Sequence, residues 1–266
     1  MGESIRAVKD YYDAVVQREW NRIDNRPEFL LTCRMLGSYI KPGDKVLDIG
    51  GGPGRYSLFL AQKGCDVTLI DLSPENAKFA AQHAIEQGLT IKTISGDARE
   101  ADKLIVGQYD HVLLMGSMYH LLEEADRKEA VNVALNLLKP GGILYASFIN
   151  LFAIIIYYMK QAPEKIILDE EAIYIKHVVE QMTYAGNAFT KVVFTEQSNI
   201  LPFMTQFPLE KLHFFGQEGI TSPCESNIMS QPQDIIDSWL DLCEKVWEHE
   251  DLLSWSEHLM YVGRKK

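Results

Sequence analysis

The residues most suggestive of chemistry lie in one stretch, Val46-Leu-Asp-Ile-Gly-Gly-Gly-Pro-Gly-Arg-Tyr-Ser57. An apolar run that reads as a strand leads into glycines, and an amphipathic helical pattern follows. Glycine permits the sharp turn and lets a ligand approach the main chain. Many nucleotide sites use such a loop, so its surroundings must decide. Neither register completes G-x-G-x-x-G, because Gly50-x-Gly52 is followed by Arg55 and Gly52-x-Gly54 by Ser57. Two residues ahead of the loop stands Asp48, whose charge would repel a pyrophosphate and attract an ammonium group. S-adenosylmethionine (SAM) has an amino-acid end and a sulfonium but no phosphate, so Asp48 suits SAM and disfavours NAD. The alternative is that Asp48 braces the loop by accepting backbone N–H bonds, which either ligand would tolerate.

Further acids follow at useful places. Asp71 closes the second apolar run, where a carboxylate can accept from both ribose hydroxyls of a nucleoside. Asp97, in Gly96-Asp97-Ala98, is placed to accept from an adenine amino group, or to cap a turn. Methyl transfer from a sulfonium is an in-line displacement that an enzyme can promote by alignment and exclusion of water. A base is needed only when the acceptor must lose a proton. His120, in Ser117-Met-Tyr-His120, is the histidine expected at the ligand-binding edge of a sheet, as a base or as a packing and hydrogen-bonding residue. Tyr119 carries the same two readings, catalytic contact or aromatic packing.

These residues need a scaffold, and the pattern from Lys45 to Asn150 supplies one. Short apolar runs at Val46–Ile49, Val67–Asp71, Ile91–Ser95, His111–Met115 and Ile143–Phe148 alternate with helical patterns at Arg55–Lys63, Pro74–Gln87 and Arg127–Leu138. That alternation predicts βαβ units and a parallel sheet. Ser73-Pro74 is a helix start, and Gly88 and Lys139-Pro140-Gly141-Gly142 are stops. Beyond Asn150 no clear strand pattern returns until Leu212–Phe215, so the middle stretch reads as an insertion. A helix over Gln233–Glu248 and an edge strand over His258–Val262 complete the chain, and a helix over Ile5–Gln17 opens it. The expected division is a helical cap (1–40), a cofactor-binding core (41–150), an inserted lid (151–208) and a C-terminal completion of the sheet (209–266).

Taken in order, VLDIGGGPGRYS, VTLIDLSPE, SGDARE, YDHVLLMGSMYHLL and LLKPGGILYASF resemble the class I SAM-dependent methyltransferases of the ubiquinone/menaquinone-biosynthesis-like group, over roughly residues 40–150. The resemblance implies an α/β, Rossmann-like, seven-stranded, mostly parallel sheet with helices on both faces and an antiparallel last strand. It implies SAM as cofactor and S-adenosylhomocysteine (SAH) as product. Asp48, Gly50, Gly51 and Gly52 would surround the methionine moiety, Asp71 the ribose, Leu72 and Ala98 the adenine face, and Asp97 the adenine amino group, with Ser73 beside them. Met115 and Gly116 would floor the sulfonium. In some relatives an N-terminal tyrosine closes over the cofactor, a role open here to Tyr11 or Tyr12.

Bulk properties narrow the partners. The chain of 266 residues has a formal net charge of −11, which disfavours a phosphate-neutralising surface and so nucleic acid. Cys33, Cys65, Cys224 and Cys243 form no C-x-x-C pair, and the histidines show no H-x-x-x-H or H-E-x-x-H spacing, so the expectation is a reducing, cytoplasmic setting and no metal. The longest apolar run, Leu151–Met159, is about half a bilayer span and reads as lid or pocket wall. Aromatic residues of the insertion, including Tyr157, Tyr158 and Tyr184, suit a pocket for a small-molecule acceptor. The competing readings are an NAD-dependent oxidoreductase and a SAM-binding regulator that transfers nothing. No signature of oligomeric state is present.

Overall fold

Alternating burial on both faces of each central strand dictates the architecture. In β1 (Lys45–Ile49) Leu47 and Ile49 face one helical layer while Val46 faces the other. The alternation repeats in β4 (Tyr109–Leu114) and β5 (Leu138–Asn150), where Leu144 and Ala146 point one way and Ile143 and Tyr145 the other. Strands buried on both faces belong to parallel sheets covered by helices. The computed structural model, which describes residues 2–266, has that form.

The chain opens with α1 (Glu3–Arg22), kinked at Val15, and α2 (Pro27–Tyr39). After β1 come α3 (Arg55–Gln62), β2 (Asp66–Asp71), α4 (Pro74–Glu86), β3 (Lys92–Ser95) and α5 (Ala101–Leu104). Then follow β4, α6 (Glu124–Leu137) and β5. The remainder is α7 (Ala153–Gln161), α8 (Ala172–Val179), β6 (Tyr184–Asn187), β7 (Lys191–Thr195), α9 (Ile200–Met204), β8 (Leu209–Gly216), α10 (Glu225–Met229), α11 (Gln233–Val246) and β9 (His258–Lys265). The main sheet runs β3-β2-β1-β4-β5-β9-β8, and β9 alone runs opposite to the other six strands. One face packs on α2, α3 and α11 through Leu31, Tyr56, Leu60 and Leu240; the other packs on α6 and α9 through Val131, Ala134 and Phe203.

Three details differ from the sequence expectation. The last strand is not an edge: β9 pairs with β5 on one side and β8 on the other, so Leu212–Phe215 lies in the outer strand. The Lys139–Gly142 run follows the end of α6 at Leu137, as a helix stop should, but instead of a free loop it is built into β5 as an irregularity, where Tyr109 pairs with Leu138 and His111 with Ile143. The sheet also has nine strands, because the inserted stretch contains the antiparallel hairpin β6–β7. β7 joins β5 through Ile149 and Asn150, beyond Ala146, the last residue that pairs with β4. With β9 on the other side of β5, the hairpin occupies the β4 side and continues the sheet where β4 stops. The apolar run Leu151–Met159 is largely α7, with Ile154, Ile156 and Tyr158 buried and Met159 exposed. Beyond the hairpin, Ile200, Phe203, Met204 and Phe207 pack in the main core. No described helix is long and apolar enough to cross a membrane.

Candidate functional site

The glycine loop sits at the C-terminal end of β1 and interlocks with the residues after β4. Gly50 adopts φ +74°, a conformation side chains disfavour. A Cβ on Gly116 would lie 2.1 Å from the Gly50 carbonyl oxygen. Two main chains therefore meet without side chains between them, which brings Gly51, Gly52, Met115 and Gly116 to one wall of a single cavity.

That cavity, of about 1430 Å³, lies across the C-terminal ends of the parallel strands. It exceeds the roughly 300–1,000 Å³ typical of one ligand, so a cofactor and an acceptor can share it. Every residue singled out for the cofactor or for catalysis lines it: Asp48, Gly50, Gly51, Gly52, Asp71, Leu72, Ser73, Asp97, Ala98, Met115, Gly116, Tyr11, Tyr12, Tyr119 and His120. Of the aromatic residues expected to wall the pocket, Tyr157 and Tyr158 line it, whereas Tyr184 packs against Tyr174 and Phe194 instead.

At the loop, Asp48 is buried and accepts a 2.8 Å hydrogen bond from Ser57 Oγ. Burial, with Asp71 adding repulsion, pushes its carboxyl up to about 7 against the lowering effect of Ser57. Asp71 accepts from the backbone N–H of Gly52 (2.8 Å) and Ser73 (2.9 Å) and from Asn76 Nδ2 (3.1 Å). Its carboxyl is also raised, again mainly by burial. Ser73 caps α4 by accepting from Asn76 N and donates to Asp13 of α1. Burial would raise the Asp97 carboxyl, but hydrogen bonds and charge from Arg99 outweigh it and hold it low. Arg99 also binds Asp126, and Asp97 caps its turn through Arg99 N.

The charge pattern tests which ligand this loop can hold. The lysines and arginines lining the cavity are paired with carboxylates: Lys9 with Asp13, Arg18 with Glu19, Arg22 with Glu28, Arg26 with Glu225, Arg55 with Asp24, Lys160 with Glu225 and Glu257, and Lys165 with Glu171. Arg55 is further withdrawn, stacked 3.7 Å from the Trp20 ring. Asp48 and Asp71, by contrast, have no cationic partner. Two buried carboxylates beside a glycine loop fit a cationic ligand and oppose a pyrophosphate.

A linkage follows. A carboxyl raised in the fold binds more protons than the unfolded chain between about pH 4 and 7, so its contribution to stability falls as pH rises through that window. A cation at the loop reverses the preference and expels the proton. SAM binding near about pH 6.5 is therefore expected to release up to about one proton, seen calorimetrically as a heat that depends on buffer ionisation enthalpy. Asp48→Asn should remove that dependence; its persistence in the variant would refute the assignment.

Tyr12 and His120 form the roof. His120 Nδ1 lies 2.8 Å from the Lys191 carbonyl oxygen, so it carries the proton and donates; Nε2 then accepts from Tyr12 OH at 2.7 Å. Burial pushes the His120 imidazole down to about 4, keeping it neutral. Val193 N donates to Tyr119 O, and Thr190 Oγ1 to Ala7 O, so the hairpin is fastened to both the β4 loop and α1. Tyr11 is turned to Arg18 and packs on Phe189.

Sequence reasoning missed Glu28, Glu218 and His258, whose carboxylate oxygens and imidazole nitrogen lie within 4.8 Å of one another on the cavity wall. One signal existed: the first residue of an antiparallel strand falls at the C-terminal edge of its parallel neighbours, and His258 begins β9.

Comparison with known proteins agrees with this geometry. A family profile described as a methyltransferase domain matches residues 46–142, the segment carrying the loop, Asp71, Asp97 and Gly116. A ubiquinone biosynthesis O-methyltransferase of Cronobacter sakazakii is 28% identical over 215 residues, 77% of this chain and 80% of the relative. Residues 46–142 carry a methyltransferase domain, and the chain is a SAM-dependent methyltransferase. Another ubiquinone biosynthesis O-methyltransferase, from Caulobacter vibrioides, is 41% identical to this methyltransferase over 108 residues, 41% of this chain and 42% of the relative. The fold matches the magnesium protoporphyrin IX methyltransferase of Synechocystis PCC 6803, solved with bound SAM, at a TM-score of 0.60 and 14% identity, covering 100% of this chain and 99% of that one. SAM is the methyltransferase's cofactor, and methyl transfer is its reaction.

Proposed function

We propose that this methyltransferase acts on a hydroxyl of a small phenolic acceptor. The observation that carries the reading is one cavity joining the carboxylate-lined loop to an aromatic end formed by Tyr119, Tyr157, Tyr158 and Phe194. The relatives named as O-methyltransferases of ubiquinone biosynthesis support oxygen as the acceptor atom.

In this reading Asp48 and the glycine loop hold the amino-acid end of SAM, Asp71 the ribose, Leu72 and Ala98 the adenine face and Asp97 its amino group. Met115 and Gly116 form the floor. When bound, SAM supplies a methyl group on a sulfonium, an excellent leaving group. The chain contributes alignment and a dry cavity, which suffice for much of the acceleration of such a displacement. His120, engaged at both nitrogens, serves as a latch that holds Tyr12 and the hairpin over the cofactor. Losing one neutral hydrogen bond costs about 1 kcal/mol, so Tyr12→Phe is expected to speed SAH dissociation roughly fivefold in stopped-flow measurements. An unchanged rate would refute the latch.

The direct test is calorimetric titration with SAM, SAH and NAD, followed by SAH release with a panel of phenols, catechols and amines. Tight binding of SAM and SAH, with turnover on phenols or catechols, is expected. Turnover confined to amines would refute oxygen as the acceptor atom.

A further inference from the structure

His258 is fixed by its own strand and by a carboxylate. Its Nδ1 donates to Glu218 Oε1 at 2.6 Å, and Glu218 Oε2 accepts from His258 N (2.9 Å) and Ser256 Oγ (2.7 Å). Glu218 N in turn donates to Ser256 Oγ at 3.0 Å. Glu218 is buried and has its acceptor capacity used, so the imidazole cannot rotate without breaking several bonds. Nε2 makes no hydrogen bond among the described residues and is not among the enclosed unpartnered atoms, while His258 lines the cavity. That nitrogen is open to whatever fills the acceptor end. Its ring centroid stands 6.1 Å from that of Tyr119, just past the β4 loop, and its Cα pairs with Ile149 at the end of β5.

We infer that His258, oriented by Glu218, is the group that bonds the acceptor's hydroxyl oxygen and holds the proton this hydroxyl loses. The inference rests on the phenolic-acceptor reading above and assigns its proton. A carboxylate behind one ring nitrogen and a free second nitrogen facing substrate is the arrangement that fixes a tautomer and stabilises an imidazolium. His120 offers no such nitrogen, since Tyr12 occupies its Nε2.

The charges around His258 agree. Burial would lower its imidazole, but Glu28 and Glu218 outweigh burial and raise it. Glu28 lies 3.9 Å from Nδ1 and is itself bound by Arg22 at 2.7 Å. Neighbouring Glu257 pairs with Lys160 of α7 at 3.2 Å. Two carboxylates thus stabilise the positive ring at Nδ1, leaving Nε2 for an oxyanion.

The step balances in either order. A neutral imidazole takes the hydroxyl proton on Nε2, and the phenolate oxygen then forms its bond to the methyl as the sulfur–methyl bond breaks; the imidazolium afterwards gives that proton to water. Alternatively the acceptor enters as phenolate, its proton already lost to water, and bonds the Nε2–H of the imidazolium. Both routes pass through one imidazolium–phenolate pair and end in methyl ether, SAH and one released proton.

The test uses 4-nitrocatechol, whose absorbance reports loss of its proton, titrated across pH into the full chain saturated with SAH. Bound dye is expected to ionise roughly one pH unit or more below free dye, tenfold in the ionisation constant. His258→Asn should abolish that shift, and Glu218→Gln should shrink it, while calorimetric SAH affinity stays unchanged and shows that both variants fold. Dye that binds without a shift, or an equal shift in His258→Asn, would overturn the role of His258 and leave the O-methylation reading standing. Failure of the dye to bind any SAH-loaded form would overturn both. Loss of SAH affinity in His258→Asn would also overturn the assignment, because it would place His258 in the cofactor site or the fold.

Discussion

Asp71→Ala is expected to weaken SAM binding by about a hundredfold or more, the largest loss of any single polar change at the site. The carboxylate anchors Gly52 N, Ser73 N and Asn76 Nδ2, which span the glycine loop and the start of α4. Alanine leaves three buried donors without partners, each costing about 1–3 kcal/mol, and removes the group proposed to bind the ribose. Calorimetry gives the affinity, and thermal unfolding of the ligand-free chain separates the two contributions. Asp71→Asn keeps an acceptor oxygen and should fall between wild type and Ala. Unchanged SAM affinity in Asp71→Ala would remove Asp71 from the cofactor site.

Gly116→Ala should be nearly as damaging for a different reason. Its new Cβ would lie 2.1 Å from the Gly50 carbonyl oxygen, a backbone atom with no rotamer to relieve the clash. The β1 and β4 loops must part, which displaces Gly50, Gly52 and Met115 together. Overpacking of this kind costs about 1–3 kcal/mol or more, and SAM binding should fall at least tenfold with a drop in Tm. Gly37→Ala provides the contrast: Gly37 lies inside α2 with open space around it, so alanine should be neutral or stabilising by up to about 1 kcal/mol. Equal effects of the two changes would show that the loop contact is not tight.

Much of the parallel sheet was legible because buried strands bounded by Gly, Pro and Ser-Pro punctuation leave a strong periodic signal. The glycine loop with Asp48, Asp71 and Asp97 was legible because local order places each at a strand end. Asp48 shows the limit of that reading: whether it faces a ligand or braces the loop is a question of three-dimensional contacts, and Ser57 bonds it while it also lines the cavity. The hairpin was hidden for physical reasons. Its turn, Ala188-Phe-Thr190, lacks the Asn-Gly or Asp-Gly of tight hairpins, and Tyr184-Ala-Gly-Asn187 has no clean alternation. Glu28, Glu218 and His258 were hidden more deeply, since only the packing of α2 against the β8–β9 end of the sheet makes them neighbours. Internal placement of β9 likewise depends on pairing with β8 across about forty residues of intervening chain.

The hairpin that extends β5 past the end of β4 bears on how such an enzyme changes its diet over evolutionary time. Its strand β7 is tied by a main-chain bond from Val193 to Tyr119 in the loop proposed to floor the cofactor, so lengthening a strand or slipping its register would disturb cofactor grip along with acceptor choice. The turn at residues 188–190 lies outside the ladder, and its half-exposed Phe189 can change without altering strand register, provided Thr190 keeps its bond to α1. New acceptor preferences are therefore cheapest to acquire by editing that rim and the cavity-facing side of α7, and most hazardous through the strands themselves.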